Sequence, residues 1–163
     1  MRFATWEAGG RVRAGVVSTR PDGSAGLHEL PARTTVLDLV RAGLPAALEA
    51  GAEALRGPAV PLESVRLLPP VEAPTVRDFV AFEEHVEGVR KAIDGQAGVV
   101  PEWYQAPTFY FTNPYALVGA HDDVPVPPGC TLLDFELEVA VVAGPGGTGT
   151  SSCAPTSAYG LVK

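Results

Sequence analysis

The sequence predicts an α+β, β-rich fold: a small β-containing N-terminal domain over residues 1–70, a second sheet domain over 71–143, and an irregular tail over 144–163. Three observations predict it. Residues 1–30 alternate and turn like antiparallel β structure, a helical stripe and an aromatic segment follow a Pro-rich connector, and Thr131 to Val142 (TLLDFELEVAVV) alternates strictly. Apolar residues make up 46% of the 163 and mean hydropathy is +0.14, enough for a working core and too much for wholesale disorder. Eighteen Gly and sixteen Pro, spread along the chain, predict many tight connections rather than one flexible linker.

Charge narrows the partners. A net charge of −7, a pI near 4.9 and twelve scattered basic residues exclude nucleic acid, whose phosphates need clustered Lys and Arg. No apolar run approaches the roughly 20 residues a spanning helix needs, so no membrane partner is expected. The opening MRFATWEAGGRVRAG lacks the apolar core of a secretory signal, and Cys130 and Cys153 form no ligand spacing; a reducing cytoplasm is the expected location.

In chain order, Arg11 to Ser18 reads as a strand, Arg20-Pro21-Asp22-Gly23 as a turn, and Gly26 to Leu30 as the antiparallel return. His28 in that return is read as a surface or packing residue rather than a ligand and is given no role. Thr34 or Thr35 caps a helix carrying Val36, Leu37, Leu39 and Val40; Gly43 and Pro45 separate it from an Ala-rich helical piece ending near Gly57. Val60 to Leu68 is a strand candidate, and Pro69 to Pro74 an extended connector. Thr75-Val76-Arg77-Asp78 then offers a capping-type start to a helix whose stripe is Phe79, Phe82, Val86, Val89 and Ile93, ended by Gly95. On such a helix Asp78 and His85, seven positions apart, fall within about 20° of each other. By residue type alone the bland reading is favoured: Asp78 starts the helix, and His85 sits with Glu83, Glu84 and Glu87 on a solvated side.

Val99 to Tyr115 holds much of the aromatic content and reads as a shaped segment lining a pocket or a subunit contact, with core packing as the competing reading for Trp103 and Phe109. His121, Asp122 and Asp123 precede a Pro-rich turn and read as loop solvation. In the alternating stretch, Glu136 and Glu138 point the same way, and like charges that close need water, protons or a cation. Beyond Val142 the Gly/Ser/Thr-rich tail shows no periodicity and no phosphate-binding Gly-Lys-Ser/Thr ending.

Together, Arg77-Asp78-Phe79, Phe82 and His85, Pro101-Glu102-Trp103-Tyr104, Pro107-Thr108-Phe109-Tyr110, Pro127-Pro128-Gly129 and Leu133-Asp134-Phe135-Glu136-Leu137-Glu138 resemble, in order and spacing, the first half of a fumarylacetoacetate hydrolase family catalytic domain, over about residues 75–143. The β-rich opening is similar to the small N-terminal domain of many members. The resemblance implies a mixed, rolled β-sheet, incomplete here, and a divalent cation, Mg²⁺ first with Ca²⁺ or Mn²⁺ as alternatives. It also implies a homodimer and hydrolysis of a carbon–carbon bond in a fumarylacetoacetate- or acylpyruvate-like 1,3-dicarbonyl substrate, a chemistry of aromatic-compound catabolism. By position, Glu136 and Glu138 match the paired metal ligands, Asp78 a third carboxylate ligand, His85 the histidine that activates water, and Tyr110 a tyrosine beside the substrate.

Oxygen ligands of this kind suit a hard cation. Members of the family continue into an Asn-Asp…Ser-Ala-Arg-Asp segment that supplies a further ligand, which these residues lack. Some short members carry a glutamate three residues after the histidine, where Gly88 stands here; Glu87 would point elsewhere on the helix. Two other readings follow: a truncated, catalytically incomplete fragment, on the warrant of the aperiodic tail, and an isomerase or decarboxylase of 2-hydroxy-dienedioates. A sheet cut off at such a strand would leave an unpaired edge and lean on association.

Overall fold

Strand β1 (Phe3–Ala8) returns as β2 (Arg11–Thr19) through Gly9 and Gly10 alone, Ala8 standing opposite Arg11. Both glycines have positive φ, 59° and 72°, the hairpin geometry whose twist matches that of the flanking strands. The structure is a computed structural model and describes residues 1–31, 33–133 and 137–144, with the backbone of 152 and 153. β2 turns into β3 (Ala25–Glu29) as the Arg-Pro-Asp-Gly signal predicts: Gly23 donates to the Arg20 carbonyl at 3.0 Å, and the Asp22 carboxylate accepts from both the N–H and the hydroxyl of Ser24.

Helix α1 (Val36–Ala42) starts on a capping box. Thr35 Oγ1 accepts from the Asp38 N–H at 3.1 Å, and the Asp38 carboxylate accepts from the Thr35 N–H at 2.9 Å. Gly43 ends it, and α2 (Leu44–Ala54) follows with Pro45 in its first turn. The expected strand over Val60–Leu68 is two short ones, β4 (Ala59–Pro61) and β5 (Arg66–Leu68). Pro61 has no N–H to extend a ladder, and Ser64 Oγ donates to the Pro61 carbonyl at 2.7 Å, closing a turn over Leu62–Ser64.

These strands form one antiparallel sheet, ordered β4-β3-β2-β1-β5. Register places Ala14 and Val16 on one face, where they pack with Leu30, Val36, Leu39 and Ala54 into the core. Trp6 and Leu27, each 1% exposed, bury into the opposite face. Burying side chains of this size stabilises by about 1.5–3 kcal/mol apiece. His28 is a packing residue, as its place in a hairpin return suggests: its Nδ1 donates to the Gly57 carbonyl and its Nε2 meets Ser18 Oγ, both at 3.0 Å.

The backbone groups into two units, Met1–Glu72 with Leu117–Lys163, and Ala73–Ala116. In the second unit β6 (Val76–Phe79) pairs with β7 (Phe109–Thr112), and helix α3 (Glu83–Asp94) lies between them in sequence. This corrects the helix start expected at Thr75–Asp78. Val76 and Phe79 favour a strand once an aromatic partner strand is available, and the helix begins at Glu83, with Phe82 at the N-cap position supplying no side-chain cap. Gly95, with φ of 67°, ends α3 as expected.

The strand expected over Thr131–Val142 is also corrected. Among the described residues of that stretch only β8 (Val141–Val142) is strand, paired with β9 (Ser152–Cys153) inside the tail expected to be irregular; 131–133 and 137–140 have no ladder partner, and alternation without one does not make a strand. Residues 134–136 lie outside the described residues. Every described pairing is antiparallel, in a sheet-rich α+β molecule. Among the described residues no helix is long and apolar enough to cross a membrane.

Candidate functional site

The β6–β7 register decides which side chains of the second unit meet. Arg77 stands opposite Phe111 and Phe79 opposite Phe109; Asp78 stands opposite Tyr110 and Val76 opposite Thr112. Side chains alternate, so the aromatic set occupies one face and the Asp78–Tyr110 pair the other. On the aromatic face Phe109 packs against Phe79 and Phe111, ring centroids 5.2 Å apart in each case, and the Arg77 guanidinium lies 5.3 Å from the Phe111 ring centre. On the other face Asp78 is half-buried and Tyr110 is 55% exposed.

Asp78 and His85 therefore do not share a helix flank. Asp78 sits on a strand, and His85 is an exposed residue of the first turn of α3, its N–H donating to the Phe82 carbonyl at 3.1 Å. They are brought to consecutive elements, one short connection apart.

Two glutamates of that helix, Glu83 and Glu87, are engaged elsewhere. The Tyr104 hydroxyl donates to Glu83 Oε1, a bond that holds the phenol pKa above its ordinary value. Glu87 Oε1 accepts from the Gly98 N–H at 3.0 Å, so this carboxylate does tie down the loop after α3 rather than orient His85. Arg90 fixes the same loop through the carbonyls of Ala97 and Gly98. Trp103 Nε1 donates to the Val80 carbonyl at 3.1 Å, and with Phe79, Tyr104 and Pro107 it borders an open recess of about 440 Å³. Asp78, His85 and Tyr110 are not in its lining.

Glu138 is half-buried and belongs to the first unit; Glu136 lies outside the described residues. Among the described residues no three His, Cys, Asp or Glu side chains gather as a metal-holding group. The donor chemistry of Asp78, Glu136 and Glu138 is oxygen-only and anionic, which fits a hard divalent cation. Cys130, which has no ligand spacing, directs its thiol to the Leu132 carbonyl at 3.1 Å.

The reading of Asp122 as a solvated loop acid is overturned. Its carboxylate receives Arg66 Nε and Nη2, each at 2.9 Å, and the Gly119 N–H at 2.9 Å; these bonds hold its pKa below the ordinary carboxylate value. Local composition carries no signal for this pair, because Arg66 lies 56 residues upstream.

No curated protein and no solved structure matches the chain. A family model described as "Fumarylacetoacetate (FAA) hydrolase C-terminal" matches residues 74–163, more than half of the 163, starting at the end of the Pro-rich connector and running through the stretch after Val142. With Asp78, His85, Tyr110 and the acidic pair all inside that span, the chain belongs to the fumarylacetoacetate hydrolase family.

Proposed function

We propose that this chain forms a divalent-cation-dependent site that hydrolyses a carbon–carbon bond in a 1,3-dicarbonyl substrate of the fumarylacetoacetate or acylpyruvate type. The observation that carries it is the second unit's arrangement. Asp78 and Tyr110 face the same way across β6 and β7, and His85 opens the helix that follows β6 directly. Family membership supports an enzyme of the hydrolase or isomerase kind.

In this reading Asp78, Glu136 and Glu138 hold the cation, Mg²⁺ before Mn²⁺ or Ca²⁺. When bound, the cation would polarise the carbonyl under attack and offset negative charge on the departing enolate. Neutral His85 imidazole accepts a proton from water as the oxygen attacks the carbonyl carbon. The carbon–carbon bond then breaks, giving a carboxylic acid and an enolate, and the imidazolium returns its proton to the enolate carbon to give the ketone. Tyr110, beside Asp78, orients the substrate through its hydroxyl. The rolled-sheet architecture, residues 1–70 as a separate N-terminal domain, and a homodimer complete the proposal.

The test is product analysis with an acylpyruvate and Mn²⁺. Turnover should yield two fragments with one oxygen from labelled water in the new carboxylate; an isomer or CO₂ in their place would refute hydrolysis. His85→Gln should lower kcat by about a hundredfold or more and leave Mn²⁺ affinity unchanged. Asp78→Asn should weaken Mn²⁺ binding itself, and an unchanged affinity would remove Asp78 from the ligand set.

A further inference from the structure

We propose that the recess of the second unit, bordered by Trp103, Tyr104 and Phe79 and flanked by Glu83, is a binding site for a small alkylated ammonium ion of the choline kind. It is independent of the divalent-cation reading, since Asp78, His85 and Tyr110 do not line the recess.

Two of the three rings come from one short turn of helix, Pro101–Tyr104. Trp103 and Tyr104 stand with ring centroids 5.0 Å apart and planes at 86°, so a guest seated in the angle between them meets a π face of each. Their polar tips are already bound. Trp103 Nε1 donates to the Val80 carbonyl at 3.1 Å, and the Tyr104 hydroxyl donates to Glu83 Oε1. These bonds fix both side chains before any guest arrives and leave ring surface as what they offer it. Phe79 of β6 adds a third aromatic border, and Tyr104 and Phe79 are 59% and 53% exposed, a large apolar area for so small a region. At about 440 Å³ the recess lies in the range of small-molecule sites, about 300–1,000 Å³.

Charge selects the guest. No basic side chain lines the recess. Arg77 stacks instead on Phe109 and Phe111, 5.6 and 5.3 Å from their ring centres, and Arg90 is bonded to the carbonyls of Ala97 and Gly98. Helix α3 opens with Glu83 and Glu84, whose two charges outweigh the roughly half positive charge of a helix N-terminus. The bond to Glu83, with the charges of Glu83 and Glu87, holds the Tyr104 phenol above its ordinary pKa, so the phenol stays neutral in a negative field. Aromatic faces attract cations, and an ammonium whose hydrogens are replaced by methyl groups sheds water readily and covers ring surface with them. A neutral apolar guest would use the rings and forgo the charge; an anion would be repelled.

The experiment titrates the metal-free full chain with choline at constant ionic strength and reads tryptophan fluorescence. Of the two tryptophans Trp6 is 1% exposed and in the first unit, so Trp103 carries the response. The comparison ligand is choline's neutral carbon isostere, with a tert-butyl group in place of trimethylammonium. Choline is expected to bind saturably, and the isostere at least about fivefold more weakly. Glu83→Gln keeps an acceptor for the Tyr104 hydroxyl and removes the charge; it should weaken choline about three- to tenfold and leave the isostere unchanged. Tyr104→Leu removes one ring at an exposed position, where the fold tolerates the change, and should weaken both ligands about tenfold. Saturating Mg²⁺ should leave choline affinity as it was. The proposal is overturned by the absence of a saturable response to choline, by an isostere that binds equally well, or by choline binding that survives both substitutions. Competition by Mg²⁺ overturns it too, because the charge recognised would then be that of the divalent-cation site. A trimethyl-lysine peptide that binds where choline does not would make the guest a protein and overturn the free-ion form.

Discussion

Gly15 has no room for a side chain, because a Cβ there would meet the His28 carbonyl and come 2.7 Å from the edge of the Trp6 ring. Both neighbours are strand residues whose register is fixed, so neither can retreat cheaply. Gly15→Ala is expected to destabilise by about 1–3 kcal/mol through overpacking. Thermal unfolding followed by tryptophan fluorescence checks it, and an unchanged midpoint would mean the ring slides aside. Acid sensitivity is also set by single residues. Asp122 and Asp38 have pKa values lowered below 3.8, the first by Arg66, the second by the Thr35 hydroxyl. A carboxyl with a depressed folded-state pKa stabilises fully above its unfolded value, and that stability is lost as pH falls through the folded value. Unfolding free energy should therefore fall below about pH 4, more steeply in the parent than in Asp122→Asn. The turn at Asp22 is legible from its four residues, whereas the partner of Asp122 lies in a distant strand that no local pattern points to.

Elements were legible where capping and turn chemistry act within a few residues. Thr35 and Asp38 show this: the box is local, and the structure has it bonded at both ends. Thr35→Ala should cost about 1 kcal/mol, seen as a lower unfolding midpoint with α1 and α2 still helical by dichroism. Where two periodicities overlap, tertiary pairing decides. Phe79 fits a helical stripe with Phe82 and Val86, but β7 offers it Phe109 at 5.2 Å, and the segment becomes strand up to Phe79 and helix only from Glu83. The candidate site changes with it. Asp78 keeps its place near His85 in sequence, but its neighbour across the sheet is Tyr110, a relation that 3.6-residue periodicity could not reveal. In the described residues 131–133 and 137–140 the alternation misleads for the converse reason, since a period of two states which side chains would share a face and is silent on whether a neighbouring strand exists.

The molecule distributes its stability unevenly. The core side chains, Ala14, Val16, Leu30, Val36, Leu39 and Ala54, all belong to the first unit, as do Trp6 and Leu27; in Ala73–Ala116 no residue is buried, and Phe82, Ile93 and Phe111 are more than 70% exposed. Local opening free energy follows buried apolar contact, so the two units should separate in amide exchange. In the full chain, amides of Val76–Phe79 and Phe109–Thr112 are expected to exchange at least about a hundredfold faster than those of Arg11–Thr19. Ligation adds a second, linked effect. A cation that takes Asp78 binds only the ordered form, so Mn²⁺ at saturating concentration should slow exchange in the β6–β7 pair and leave β2 nearly unchanged. Dimerisation over the exposed aromatic face would instead slow it with rising protein concentration and without metal, so the two causes are separable in one titration series. Equal protection of both strand pairs in the metal-free chain at low concentration would show that the second unit draws its stability from a source other than its own packing or a cation.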